Sequence, residues 1–256
     1  MIKFFRKIRQ NLLSEGKTGK YLKYAFGEII LVVIGILIAL QINNSNQERI
    51  LRGEEETVLI SLKKDLIISI ENIDNVIKEK RTVIEIDDYL LKFTGPNPKW
   101  DSKVNFDSIM YYVTVSGWMH FPAEGTMSDI LNSGKLSLIK NDSIRSLIST
   151  LPLQMQWTRE EERNYRIDLH EYFLPYLGKK YPIRQSTKYR QLYKYTSSNL
   201  KTSKFEIFPE QLLSDIEFEN ILTIQSIWLK FTIDMLETQK LIYEDIVKLI
   251  DKELNN

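Results

Sequence analysis

Apolar residues in this chain follow different rules in different places. From Ile29 to Leu40 (IILVVIGILIAL) twelve consecutive residues carry no polar side chain. From Glu48 to Phe93 they recur instead at steps of mostly three, four or seven, through Leu51, Val58, Leu62, Leu66, Ile70, Ile73, Ile77, Ile84 and Leu91. That stripe contains no Pro and only Gly53, and it predicts one long amphipathic helix or two joined at a kink. Its steps do not hold a strict heptad, so it reads as a member of an ordinary bundle. A second long helix is predicted over Leu212 to Leu254, where Leu213, Ile221, Ile224, Trp228, Phe231, Met235, Ile242, Ile246 and Leu249 mark a wide apolar face. Pairing these two helices would bury the largest core available.

Shorter elements fill the middle. Gly95-Pro96-Asn97-Pro98 is a break. Phe106 to Ser116 steps partly like a strand and partly like a helix, and without an obvious strand partner it is assigned as helix. A helix over Ser128 to Asn132 ends at Ser133-Gly134, where Gly suits the left-handed position. Asn141 or Asp142 can cap the next helix, which runs to about Leu174 with a disturbance expected at Pro152. The fold class is all-α.

The twelve-residue run alone is too short for a hydrocarbon core of about 30 Å, which takes roughly 20 helical residues. Its flanks extend it from Tyr21 to Ile42, 22 residues or ~33 Å of helix. Lys23 can snorkel to headgroups and Tyr21 and Tyr24 suit the interface. A cleaved signal peptide would need small residues near the end of the run, where Leu40-Gln41-Ile42 stands. The expected organisation is a basic cytoplasmic leader over 1–20, a transmembrane helix over 21–42 and an extramembrane helical domain over 43–256. Ile2, Phe5, Ile8, Leu12 and Leu13 give the leader an apolar face suited to an anionic leaflet, with Gly16 and Gly19 breaking it before the span. Inside the span Glu28, Gly35 and Ala39 share one face, and Gly35-xxx-Ala39 permits close helix contact.

Charge sharpens this picture. The net charge is +1, yet residues 1–23 hold seven cations against Glu15, and residues 178–205 hold eight cations and no acid. The remainder therefore carries −13. Cations ahead of the span predict a cytoplasmic N-terminus and a periplasmic bundle. The second basic stretch interleaves tyrosines with Lys179, Lys180, Arg184, Lys188, Arg190 and Lys194, a candidate anion or membrane-surface patch. Its cations could equally face the acidic helices of the same molecule.

Catalytic chemistry is sparse. The absence of Cys excludes disulfides, thiolate metal sites and a Cys nucleophile, and with only His120 and His170 no histidine-rich metal centre is expected. His170-Glu171 lacks the second His of a metalloprotease helix, because residue 174 is Leu. No phosphate loop, dinucleotide fingerprint or nucleophile elbow occurs. We therefore expect no catalytic residue, no cofactor and no metal.

Residues 1–44 (MIKFFRKIRQNLLSEGKTGKYLKYAFGEIILVVIGILIALQINN) resemble the N-terminus of a family of uncharacterised single-span membrane proteins abundant in Bacteroidota. Ser128 to Ile148 (SDILNSGKLSLIKNDSIRSLI) resembles a helix–Gly–helix segment of the same family. The resemblance implies a topology and a compartment, the inner membrane with the bundle in the periplasm, and no activity. The expected partners are the lipid bilayer and a protein partner or second copy, with no nucleic acid. The leading functional expectation is a binding, scaffold or sensor-input role. The alternatives are a subunit assembled through the transmembrane helix and an envelope enzyme with an unrecognised site.

Overall fold

The computed structural model describes residues 18–114, 116–187, 189 and 201–255, and no strand occurs among them. The chain divides into two compact units, residues 1–57 and 58–256. The first helix, α1 (Thr18–Leu90), contributes to both. Within the first unit every side chain from Ile29 to Ile42 is exposed. The polar run Asn43-Asn44-Ser45-Asn46 ends the apolar stretch without ending the helix. Gly19, expected to break the chain, lies in the first turn of α1, where few backbone bonds exist for a Gly to weaken.

The second unit is a bundle of three long helices dressed by short ones. After α1 and a 3₁₀ turn (Leu91–Phe93) come α2 (Phe106–Thr114), α3 (Gly125–Asn132) and a 3₁₀ turn (Lys135–Leu138). The second long helix is α4 (Asp142–Asp168), extended through a π turn (Leu169–Phe173) into α5 (Leu174–Lys180). Two short helices, α6 (Arg184–Thr187) and α7 (Pro209–Leu213), precede the third, α8 (Ile216–Leu254). Ion pairs Asp74–Lys240 at 2.5 Å and Asp88–Lys230 at 3.7 Å join α8 to α1, the expected pairing, and run the two antiparallel. Several expected punctuation marks are in place. Gly134 adopts φ 79° after α3, and the Asn141 side chain accepts from the backbone of Ser143 and Ile144 at the start of α4.

Two features differ from the sequence reading. Pro152 sits inside α4 without breaking it; the disturbance falls at the π turn instead, where Leu174 N–H reaches back to Leu169 C=O. Pro175 follows at once. Its ring would clash with the carbonyl four residues earlier and it has no N–H to offer, so a widened turn relieves the crowding. The Leu212–Leu254 helix is also two, because Asp215 caps α8 by accepting from Glu217 N–H.

The larger correction concerns periodicity. Ile77 and Ile84 on α1 and Ile221, Ser226 and Ile233 on α8 are buried to one side, and the other buried positions of the three helices keep a heptad. On α1 they are Leu59, Leu66, Ile73, Lys80 and Asp87, alternating with Leu62, Ser69, Val76, Val83 and Leu90. On α4, Ile144, Leu151, Thr158 and Tyr165 alternate with Ile148, Met155, Glu162 and Leu169. On α8, Phe218, Gln225, Thr232, Gln239 and Ile246 alternate with Leu222, Leu229, Leu236, Tyr243 and Ile250. A 3.5-residue repeat is the signature of left-handed, knobs-into-holes packing. Polar residues occupy some heptad positions on every helix, so a stripe traced through apolar residues alone caught part of the α1 core, Leu62, Leu66, Ile73, Ile77 and Ile84, and missed the rest. On α8 the apolar face read from the sequence overlaps the buried one at Ile221 and Ile246 but leaves its members Ile224 and Phe231 exposed, as is Ile227 beside them.

This assignment has a direct test in denaturant melts of the full chain in nanodiscs. Leu229→Ala, at a fully buried heptad position, should cost about 2–5 kcal/mol, whereas Ile227→Ala on the outer face should stay within about 0.5 kcal/mol. Equal losses would contradict the register.

Candidate functional site

The polar members of the heptads meet in layers. In the first, Lys80 Nζ lies 3.1 Å from Glu162 Oε1 and donates to Thr232 Oγ1 at 3.0 Å, joining α1, α4 and α8. Both charged side chains are essentially without solvent exposure (0% and 1%). Burial lowers the pKa of Lys80 and raises that of Glu162, and their mutual attraction opposes both shifts. The second layer lies one heptad further along α1. There the Gln225 amide is 3.1 and 3.2 Å from the carboxyl oxygens of Asp87, and 2.6 and 3.0 Å from the hydroxyls of Ser116 and Tyr165. Asp87 is fully buried, and desolvation, reinforced by neighbouring Asp88, raises its pKa well above the ordinary value against the pull of Lys230.

The non-helical segment between α2 and α3, with the first turn of α3, is held against this core by side chains. Backbone N–H groups of Thr126, Ala123 and Phe121 donate to Asp65 (3.1 Å), Ser69 (2.9 Å) and Asn72 (3.2 Å), a ladder on one face of α1. The next donor, His120 N–H, goes to Glu162 Oε2 at 3.0 Å. His120 Nδ1 is 2.7 Å from the Asn72 side-chain oxygen, which assigns the proton to Nδ1. Burial, with Arg159 nearby, lowers the His120 pKa to about 4, so the ring is neutral at pH 7. Gly117 in this segment leaves room for Leu169, since a Cβ there would stand 3.2 Å from Leu169 Cδ2. His120 is thus a structural residue, and His170 is exposed on the π turn.

The bundle surface also carries grooves, two of which are lined by charged and aromatic side chains. One, of about 780 Å³, lies between α1 and α2 and is lined by Glu79, Glu85, Tyr89, Tyr111, Tyr112 and Tyr189 among others. Its wall is stiffened by an aromatic cluster: Tyr89 packs on Phe93 at 5.3 Å and Trp100 at 6.2 Å, and its hydroxyl is 2.5 Å from Ser102 Oγ. The other, of about 500 Å³, lies at the π turn and combines Asp168, Glu171 and Glu217 with Lys179 and Lys180. Among the described residues no cluster of His, Asp or Glu could hold a metal ion.

The residues singled out from the sequence are placed as follows. Glu28, Gly35 and Ala39 lie on α1 in the first unit, and a Cβ at Gly35 would meet nothing within 4 Å. Lys180 pairs with Asp215 at 3.1 Å and stands over the Tyr176 ring, while Lys179 borders the second groove. Arg184 is exposed on α6. Lys188, Arg190 and Lys194 lie outside the described residues, as do 1–17 of the leader. The buried polar layers were not anticipated; the available signal was Lys80 and Asp87 standing seven apart inside an apolar stripe.

These features define a class: an all-helical protein with one apolar helix long enough to cross a membrane and a heptad-built bundle with a polar interior. More specifically, the chain belongs to the DUF6090 family of unknown function, whose model matches residues 28–167, more than half of its length. No curated protein matches it, and no solved structure does.

Two experiments probe the polar interior. Lys80→Ala should lower the unfolding free energy by about 3–5 kcal/mol because it strands a buried carboxylate, and Lys80→Met combined with Glu162→Leu should recover much of that loss. Denaturant titration of both variants decides it; an additive loss in the double variant would show that the pair is not coupled. The His120 pKa, lower folded than unfolded, gives stability that is present above pH 6.5 and is lost as pH falls through about 4. Asp87 acts with the opposite sign, its stabilising effect lying at low pH and fading as pH rises. The difference between wild type and His120→Leu across pH 7 to 4 isolates the histidine: the variant should lose less stability on acidification.

Proposed function

We propose that this protein is a single-pass inner-membrane protein with a cytoplasmic N-terminus, whose helical bundle lies in the periplasm and binds a partner as a scaffold or sensor input. One observation carries the membrane reading: the apolar run of α1 exposes every side chain from Ile29 to Ile42. In water those side chains would each forgo the roughly 1.5–3 kcal/mol that burying an aliphatic side chain contributes. A bilayer removes that penalty, and the basic residues before the run set the orientation. The binding role is supported by a bundle whose interior charges are satisfied within the chain, and by grooves and apolar surface left over on its outside. Family membership carries no activity with it.

A second reading is assembly through the apolar helix itself. The open space at Gly35, on the same face as Glu28 and Ala39, gives a neighbouring helix room for close approach. Disulfide crosslinking of Ala39→Cys in native membranes separates a paired helix from a lone anchor.

Topology is the decisive measurement, and the lack of natural Cys makes it clean. With Cys placed at the exposed Thr202, a membrane-impermeant maleimide should label the chain while the inner membrane is intact, and the protein should resist alkaline carbonate extraction. Protection of Thr202→Cys until lysis would put the bundle in the cytoplasm, and release by carbonate would remove the anchor.

A further inference from the structure

The tyrosine-lined groove between α1 and α2 has chemistry that the bundle does not use. Tyr112 is 37% exposed beside Tyr111, with their rings 5.1 Å apart in an edge-to-face arrangement. Tyr89 closes another side, its hydroxyl held by Ser102 and its ring set edge-on to Trp100. These are preorganised aromatic surfaces, so a ligand would find them without reordering the wall. Glu79 and Glu85 line the same groove and form no ion pair with any described residue. Elsewhere in the bundle acids such as Asp74, Asp88, Asp215 and Glu237 have cationic partners.

The combination discriminates among ligand classes. An anion would meet two carboxylates that have no ion-pair partner among the described residues. A cation offers no acceptor and would leave the Tyr112 O–H donor unused. A neutral, polyhydroxylated ring suits every element of the wall. Its positively polarised C–H face packs on the negative face of an aromatic ring. Its hydroxyls donate to carboxylates that can only accept when ionised. A volume of about 780 Å³ lies in the range of small-molecule sites and accommodates more than one sugar ring.

We propose that this groove is a carbohydrate-binding site that takes a neutral oligosaccharide, with Tyr112 as a stacking surface and Glu85 and Glu79 as hydroxyl acceptors. The inference rests on the reading of the bundle as a binding domain, and names the ligand class it takes.

The test uses the full chain in lipid nanodiscs, since alkyl-glycoside detergents would compete for the groove. Chitotetraose and cellotetraose are titrated by calorimetry, with spermidine and inorganic phosphate as charged comparators. At least one tetrasaccharide should bind saturably, and Tyr112→Ala and Glu85→Gln should each weaken it by roughly three- to tenfold. Phe231→Ala, an exposed aromatic on α8, should leave binding unchanged. Binding of chitotetraose alone identifies N-acetylated glycan strands as the source chemistry, and binding of cellotetraose alone identifies unsubstituted ones; either supports the site. Failure of both sugars, equal affinity in the Tyr112→Ala and Glu85→Gln variants, or saturation by spermidine or phosphate in place of sugar would overturn it. A protein that is carbonate-resistant and correctly oriented yet binds no sugar sinks this inference alone, whereas a cytoplasmic bundle sinks the reading beneath it.

Discussion

The buried contact between Lys80 and Glu162 is the constraint around which the bundle is arranged. Two charges without solvent exposure are costly unless each has a partner at the right place. That requirement ties a single position on α1 to a single position on α4, and Thr232 ties both to α8. Apolar heptads would tolerate a slip of one repeat with modest loss. A slip here would move a lysine against leucine and leave a glutamate alone. Polar residues at heptad positions are known to specify register at some cost in stability, and the layers at Lys80 and Asp87 fit that use. Around them Leu59, Leu66, Leu229 and Leu236 supply the hydrophobic burial.

The same constraint explains which parts of the architecture could be read from the sequence. Helical content, Gly134 at a left-handed turn and Asn141 as a cap follow from local rules, the pairing of the first and last long helices follows from their apolar faces, and all are present. The heptads were hidden because Ser69, Lys80, Asp87, Thr158, Glu162, Gln225, Thr232 and Gln239 occupy core positions, and a charged or amide side chain normally marks a surface. The π turn was misplaced because Pro152 drew attention, while Pro175 has the crowded carbonyl. The ladder Asp65, Ser69 and Asn72 was illegible for a different reason. Its partners are backbone donors some fifty to sixty residues away, and no local pattern announces a long-range side-chain-to-backbone bond. Of the candidate sites, the span face and the basic stretch came from patterns, whereas the tyrosine groove is assembled from α1, α2 and Tyr189 and exists only in three dimensions.

Inside and outside of the bundle therefore play different parts. The interior spends its charged and polar side chains on one another and on the segment between α2 and α3. The exterior keeps Glu79 and Glu85, without an ion-pair partner among the described residues, beside tyrosines, and an apolar ridge of Ile224, Ile227 and Phe231 on α8. Lys80 and Asp87 themselves are fully buried.

The Gln225 amide gives the second layer a sense of direction. When Asp87 is ionised it can only accept, so the amide nitrogen faces it, and the hydroxyls of Ser116 and Tyr165 point their hydrogens at the amide oxygen. When Asp87 holds a proton it can donate to the amide oxygen, and the nitrogen then donates to the two hydroxyl oxygens, 2.6 and 3.0 Å away. The heavy atoms need not move, apart from an exchange of two amide positions. A single proton on Asp87 would thereby reverse the direction of the hydrogen bonds that link α1, α8 and α4.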